Sequence, residues 1–344
     1  MRQVVVGSTT HIDRHNERMT LQALESMARQ INSERKPILT VEHDTTLPPI
    51  GKMLRAWIEP MEDGEFKLLI EQEIFEKEEH IILVDGSQGL MRESETDNSP
   101  FVRKAKNIPE TLILRADLAN FASLNDYQAF LTEVKDANLT SFVSEEMGRK
   151  SFIPDPELVI TIGKGLLTYF VAKKIIDTFG GKISDKLSDE VSNDIAEFYV
   201  WVKTVALKYT KYVVPKNRPM TYVFSIPITP HIELAARSSD ASEITAAIML
   251  DNLEEPLRQA QEYRDKLGAE RVQFLLDEDG EWKLNYMLTD KGQVIGTKKS
   301  FSRKAQQLDL SLPPSLNSTP VSTPKLLKQT VKNSSKRPKR KRRK

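Results

Sequence analysis

"RVQFLLDEDGEWKLNYMLTDKGQVIGT", residues 271–297, decides how the second half of this chain folds. Val272, Phe274 and Leu276 fall on one side of an extended chain. Asp279-Gly280 interrupts them, and Trp282, Leu284, Tyr286 and Leu288 resume the alternation as far as Lys291-Gly292. A period of two punctuated by glycine turns predicts three consecutive antiparallel strands. Upstream, Asp240 and Glu243 stand at capping-box spacing before Ile244, Ile248, Leu253, Leu257, Ala260 and Leu267, and Gly268 follows as a stop, which predicts one long helix. "MTYVFSIPI" (220–228) reads as a strand that Pro227 and Pro230 place at an edge or a strand end. The order β-α-β-β-β over 216–300 predicts one antiparallel sheet with a helix on one face.

Residues 156–212 have a different character. "LVITIGKGLLTYFVAKKIIDTF" (158–179) is the most apolar stretch of the chain, but Lys164, Lys173 and Lys174 lie inside it. Each charge near a bilayer centre costs roughly 2.5 kcal/mol or more, so a packed or interfacial helix is expected and a membrane span is not. Gly180-Gly181 ends that helix. A second one follows, opened by Asp185, Asp189 and Glu190, with Leu187, Val191, Ile195, Phe198, Val202, Val205 and Tyr209 on one stripe. The two make a helical hairpin. "TIGKGLL" is not a nucleotide loop, because Gly165 follows the Gly-Lys pair where a Walker motif needs Ser or Thr.

Residues 1–155 read as a β-rich domain. "QVVVG" is a strand, and "TLQALESMARQIN" is a helix capped by Thr20. "PILTVEHD" is a second strand, and "KMLRAWIEPMEDGEFKLLIEQEIF" is a hairpin turning at Glu62-Asp63-Gly64, with Leu54, Ala56 and Ile58 facing Phe66, Leu68 and Ile70. Residues 86–107 are polar and aperiodic and read as a long surface loop open to proteolysis.

Composition bounds the function. Hydrophobic residues make up 39% and charged residues 29%, the balance of a soluble globular protein, and 344 residues suffice for two or three domains. The absence of cysteine excludes disulfides, thiol nucleophiles and cysteine metal sites and fits a cytoplasmic location. The opening "MRQVVVGSTTH" has too short an apolar run for a signal peptide, so export is not expected. Residues 321–344 hold eleven of the 50 Lys and Arg and no acid, leaving 39 basic against 49 acidic groups in the first 320 residues, a net of −10. From 308 onward Ser, Pro and Thr lead into "KRPKRKRRK", which predicts a disordered tail with a cationic tip. Lys336, Arg337, Lys339, Arg340, Lys341, Arg342, Arg343 and Lys344 are candidate contacts for nucleic-acid phosphates, ahead of contact with the acidic body and of anionic lipid.

"GSTTHIDRHNERMTLQALESMA", "ILTVEHDTTLPPIGKMLRAWIE" and "DGEFKLLIEQEIF", spanning roughly 4–76, resemble the N-terminal half of the prohead (capsid maturation) serine proteases of tailed phages. The resemblance implies a small β-barrel shared with herpesvirus assemblins, a polypeptide substrate, and His43 in the position of the catalytic histidine. The family's serine lies in a "GLSIGF"-like strand that is absent here. Ser87, Ser94, Ser99 and Ser123 are the nucleophile candidates by position, and each sits in polar, loop-like surroundings. A working nucleophile needs a base in reach and a third group to orient that base. His15 or His11 could be that third member, and the alternative is that they cap a turn. A metal site built from His11, Asp13, His15 and His43 lacks a recognised spacing, so no metal and no cofactor is expected.

The sequence therefore predicts an α+β chain: a prohead-protease-like β-rich domain over 1–155, a helical hairpin over 156–212, a small β-α-β-β-β module over 216–300 and a disordered basic tail over 308–344. The expected function is a polypeptide-binding or assembly scaffold without a complete catalytic site, with His43 steadying its turn. The alternatives are an active serine endopeptidase using His43 as general base, and a nucleic-acid-associated scaffold acting through the tail.

Overall fold

A computed structural model of the chain describes residues 1–12, 18–41, 44–103, 108–135, 143–148, 156–164, 166–167, 185–214 and 220–303. The fold is mixed α+β, with strands in two sheets. The first contains β1 (Arg2–Thr9), β2 (Ile38–Leu39), β3 (Gly51–Pro60) and β4 (Phe66–Ile74), all antiparallel in the order β1-β4-β3-β2. The hairpin pairs as its alternation predicts, Ala56 opposite Ile70 and Ile58 opposite Leu68, and Gly64 supplies the positive φ of the turn. Helix α1 (Leu21–Ile31) starts at Thr20, whose side chain accepts from the Ala23 N–H, and packs Leu24 and Ile31 on Ala56, Leu68 and Ile70. A Cβ on Gly51 would lie 1.9 Å from the Glu73 carbonyl oxygen, so the glycine that closes "PPIG" lets β3 and β4 approach.

The second sheet has ten strands: β5 (Lys77–Ile82), β6 (Gln88–Glu93), β7 (Leu112–Asp117), β8 (Val143–Gly148), β9 (Glu157–Thr161), β10 (Met220–Ile226), β11 (His231–Ser238), β12 (Ala269–Leu276), β13 (Trp282–Thr289) and β14 (Val294–Thr297). Its order is β5-β6-β14-β13-β12-β11-β10-β9-β7-β8. The main core joins it to α2 (Leu124–Lys135), α3 (Asp185–Tyr212), α4 (Ala241–Ala247) and α5 (Glu254–Leu267). Phe121, Phe130, Tyr209 and Tyr222 form an aromatic chain between α2, α3 and β10, and such edge and tilted contacts add to the area they bury.

Several expectations change. Strands from 1–155 and from 216–300 share the large sheet, since β6 pairs with β14, so the expected boundaries do not separate independent sheets. The expected loop 86–107 begins with β6, and Ser94 and Phe101 are buried. The first helix of the expected hairpin starts as a strand: Leu158–Thr161 belongs to β9, where β-branched residues fit a two-sided sheet. Residues 168–184 lie outside the described residues; the second helix is α3. The module over 216–300 has an additional strand, β11, and its long helix is broken into α4 and α5 by a 3₁₀ turn at Leu250–Asn252. Pro256 explains the break, because proline is tolerated in a first helical turn and not in a helix interior. The helical crossover then makes β11 and β12 parallel, so the sheet is mixed and not antiparallel. No helix of the described residues is long and apolar enough to cross a membrane.

Candidate functional site

The alternation that sends Phe224, Leu234, Val272 and Phe274 into the main core sends their neighbours to the opposite face. There Thr161, Ser225, Glu233, Gln273 and Tyr286 form a row of successive cross-strand partners from β9 to β13. One step along β11, His231 stands opposite Arg271. The row is buried: Glu233 and Gln273 are inaccessible, Ser225 is 5% exposed, Arg271 6% and His231 8%. Polar groups withdrawn from water this far must satisfy one another. Arg271 Nη2 donates to Glu233 Oε2 (2.8 Å) and to the Tyr286 hydroxyl (3.3 Å), and Gln273 Nε2 donates to Glu233 Oε2 (3.0 Å). Burial works against the Arg271 charge, but the Glu233 carboxylate outweighs it and holds the guanidinium protonated. Burial also pushes the Tyr286 phenol above its ordinary range.

Residues 44–49 lie over the Gln273, Asn285 and Tyr286 part of this face. Asp44 Oδ1 accepts from the Thr46 N–H (2.8 Å) and hydroxyl (2.7 Å), closing a side-chain turn, and Leu47, Pro48 and Pro49 are buried. The exposed carbonyls of that turn are taken by the sheet. Gln273 Nε2 (2.9 Å) and the Tyr286 hydroxyl (3.1 Å) donate to Thr45 O, while Asn285 Nδ2 (2.7 Å) and Arg303 Nη2 (3.3 Å) donate to Thr46 O. Thr45 also donates through its hydroxyl to Glu157. The turn at Thr45 and Thr46 is thus stapled down by side chains that lie more than 200 residues away in sequence.

Ser225 and His231 meet across the β10–β11 turn, with Oγ 3.0 Å from Nε2. Glu233 Oε1 lies 3.8 Å from that same ring nitrogen. A nucleophile–base–orienter set places the acid on the opposite ring nitrogen from the serine, where it fixes the tautomer. Here serine and carboxylate share one edge of the imidazole, an arrangement that satisfies buried groups and leaves the triad geometry unformed among these three residues.

His231 and Arg271 line the inner wall of a cleft of about 1160 Å³. Its other walls are the end of α1 with Ser33, Glu34 and Arg35, the segment around Arg103, and the end of α5 with Arg264 and Asp290 nearby. Glu270 is clamped there: Arg35 Nη1 and Nη2 donate to its two oxygens (2.6 and 2.7 Å), and Arg103 Nε donates to Oε1 (3.2 Å). Burial pushes the Glu270 carboxyl up, but the two guanidiniums prevail and hold it below its usual range.

The residues predicted from sequence are elsewhere. His43 and His15 lie outside the described residues, as do Lys336, Arg337, Lys339, Arg340, Lys341, Arg342, Arg343 and Lys344. His11 Nε2 contacts Asp63 Oδ2 at 2.7 Å, bracing the β3–β4 turn. Ser87 closes a turn on Asp85, Ser94 Oγ donates to Glu73 (2.8 Å), Ser99 N donates to Asp97 (2.8 Å), and Ser123 Oγ accepts from the Asp126 N–H (3.1 Å) at the start of α2. None of the four hydrogen-bonds to a histidine among the described residues. The groups the sequence reading missed are Ser225, His231, Glu233, Arg271 and Gln273. Their only signal was alternation, which reads equally as a solvated face. No family model, curated protein or solved structure matches the chain.

Proposed function

We propose that this chain is a polypeptide-binding scaffold whose docking site is the cleft between the end of α1 and the α5–β12 corner. The observation that carries this reading is the cleft itself. At about 1160 Å³ it exceeds the usual range for small-molecule pockets, roughly 300–1,000 Å³, and its lining combines charged residues with the segments Phe101–Arg103 and Gly268–Arg271. The resemblance of residues 4–76 to prohead proteases supports the same class of ligand, a polypeptide segment, with the turn over residues 44–51 retained as a structural staple. Purified protein tested on an array of random decapeptides is expected to bind a subset, and Ser33→Trp, which fills the cleft mouth from an exposed position, is expected to weaken that binding at least tenfold. Equal binding by the variant rejects the cleft as the site.

A second reading, acyl hydrolysis by Ser225 with His231 as base, rests on their 3.0 Å contact. A fluorophosphonate adduct mapped to Ser225 and lost in His231→Gln would put catalysis ahead of binding; an unlabelled Ser225 leaves the scaffold reading in place.

A further inference from the structure

The guanidinium on the inner wall of the cleft is short of acceptors. Arginine has five N–H donors, and every hydrogen bond of Arg271 to a described residue runs through Nη2. Nε is buried with no partner, and Nη1 makes no hydrogen bond to a described residue. The side chain is 6% exposed and lines the cleft. A buried donor left unmet is costly, more so when it is charged, so the position gains from an incoming oxygen. The other cations of the cleft are engaged: Arg35 and Arg103 on Glu270, and Arg264 on the Thr229 carbonyl (3.3 Å).

We infer that Arg271 is a carboxylate anchor, pairing through Nη1, the unengaged donor that is not sealed off as Nε is, with one carboxylate of the bound polypeptide, either an acidic side chain or a C-terminus. This rests on the polypeptide-binding reading above. The charges around it sharpen the claim. Glu233 balances Arg271, Glu270 sits between Arg35 and Arg103, and Glu34, Asp290 and Arg264 also line the cleft, so four acids stand against four arginines and there is little net charge to attract anions from a distance. Selectivity comes instead from the short-range, directional fit between a guanidinium and a carboxylate. The affinity for a single carboxylate therefore depends only weakly on salt, unlike that of a basic surface patch.

The test uses fluorescein-labelled Gly-Ala decapeptides with the full-length protein: one with a central Glu and an amidated C-terminus, its Gln twin, and a Gln peptide with a free C-terminus. One or both carboxylate peptides are expected to bind at least tenfold tighter than the amidated Gln twin, and the preference identifies side chain or terminus as the source. Arg271→Lys keeps the charge opposite Glu233 but loses the planar fork, and is expected to erase the preference; its circular dichroism and melting curve check that it folds. Should that variant unfold, the wild-type comparison of Glu and Gln peptides still decides. Equal binding of all three peptides, with Ser33→Trp abolishing it, overturns the anchor and leaves the scaffold. If no peptide binds, acetate titrated by NMR separates the two ideas: an Arg271-dependent shift upholds the anchor without the polypeptide reading, and no shift removes both.

Discussion

Lys52 is the most deeply buried cation among the described residues, with no accessible surface, and it shows how a polar stretch came to be ordered. Its ammonium donates to the main-chain carbonyls of Asp97 (2.7 Å) and Ser99 (3.1 Å) and lies 5.2 Å from the centre of the Phe101 ring. Burial lowers its pKa, with Asp97 pulling the other way, so the charge is held at a cost that the carbonyls and rings offset. The segment 94–101 lacks apolar periodicity and looks like a loop in sequence; it is tied down from the inside by a lysine on β3. Lys52→Ala leaves two carbonyls without a donor and a void beside Phe75 and Phe101. The expected loss is about 3 kcal/mol in chemical denaturation, with new proteolytic cuts at 94–101 that the wild type resists. An unchanged midpoint and an unchanged digest would show that the segment is held by other contacts.

At the scale of elements, α2 and α3 are joined by a charged clamp. Glu133 contacts Lys208 (2.5 Å) and Lys211 (2.6 Å) and accepts a hydrogen bond from the Tyr212 hydroxyl. The two lysines and the tyrosine lower its pKa from 4.5 to about 2. A depressed carboxyl stabilises the fold at pH values above its unfolded pKa and loses that contribution as pH falls through its folded one. Glu133→Gln is therefore expected to melt below the wild type at pH 7, with the gap narrowing between pH 4.5 and pH 2 and closed below that. A gap independent of pH would mean that packing, and not charge, is what the variant disturbs. Elements such as α1, α3 and the β3–β4 hairpin were legible because a single periodicity and a glycine or a cap define each of them. The elements that were missed depend on something outside the local pattern. β9 is an apolar run that reads as helix or strand until β10 pairs with it, and β6 is a strand because β14 is beside it. Pro256 was legible in principle, since a proline in the first turn of α5 marks a helix start. The candidate site was nearly illegible: Ser225, His231, Glu233, Arg271 and Gln273 differ from surface residues only by being buried, and part of their cover, Thr45 over Gln273, comes from a segment distant in sequence.

At the scale of the whole molecule, charge is separated along the chain. The large sheet draws strands from both halves of the chain, so the cleft and the stapled turn sit on one framework, while the cationic sequence is confined to the last residues. The first 320 residues carry a net charge of −10 and should repel a polyanion, whereas residues 332–344 hold nine Lys and Arg and no acid. Any nucleic-acid binding is expected to reside in the tail. A protein truncated after residue 330 is expected to melt at the wild-type temperature and to lose measurable affinity for DNA or RNA. The full-length protein should bind with an affinity that falls steeply as salt rises, since contacts to phosphates release counterions. The truncated protein should also keep its peptide preference in the cleft, because Arg271 pairs with Glu233 and Glu270 with Arg35 within the folded body. Nucleic-acid binding by the truncated chain, equal to that of the full chain at the same salt, would place the interface on the folded body instead. Loss of both activities together would mean that tail and cleft act as one site, with the tail contributing to the polypeptide's binding.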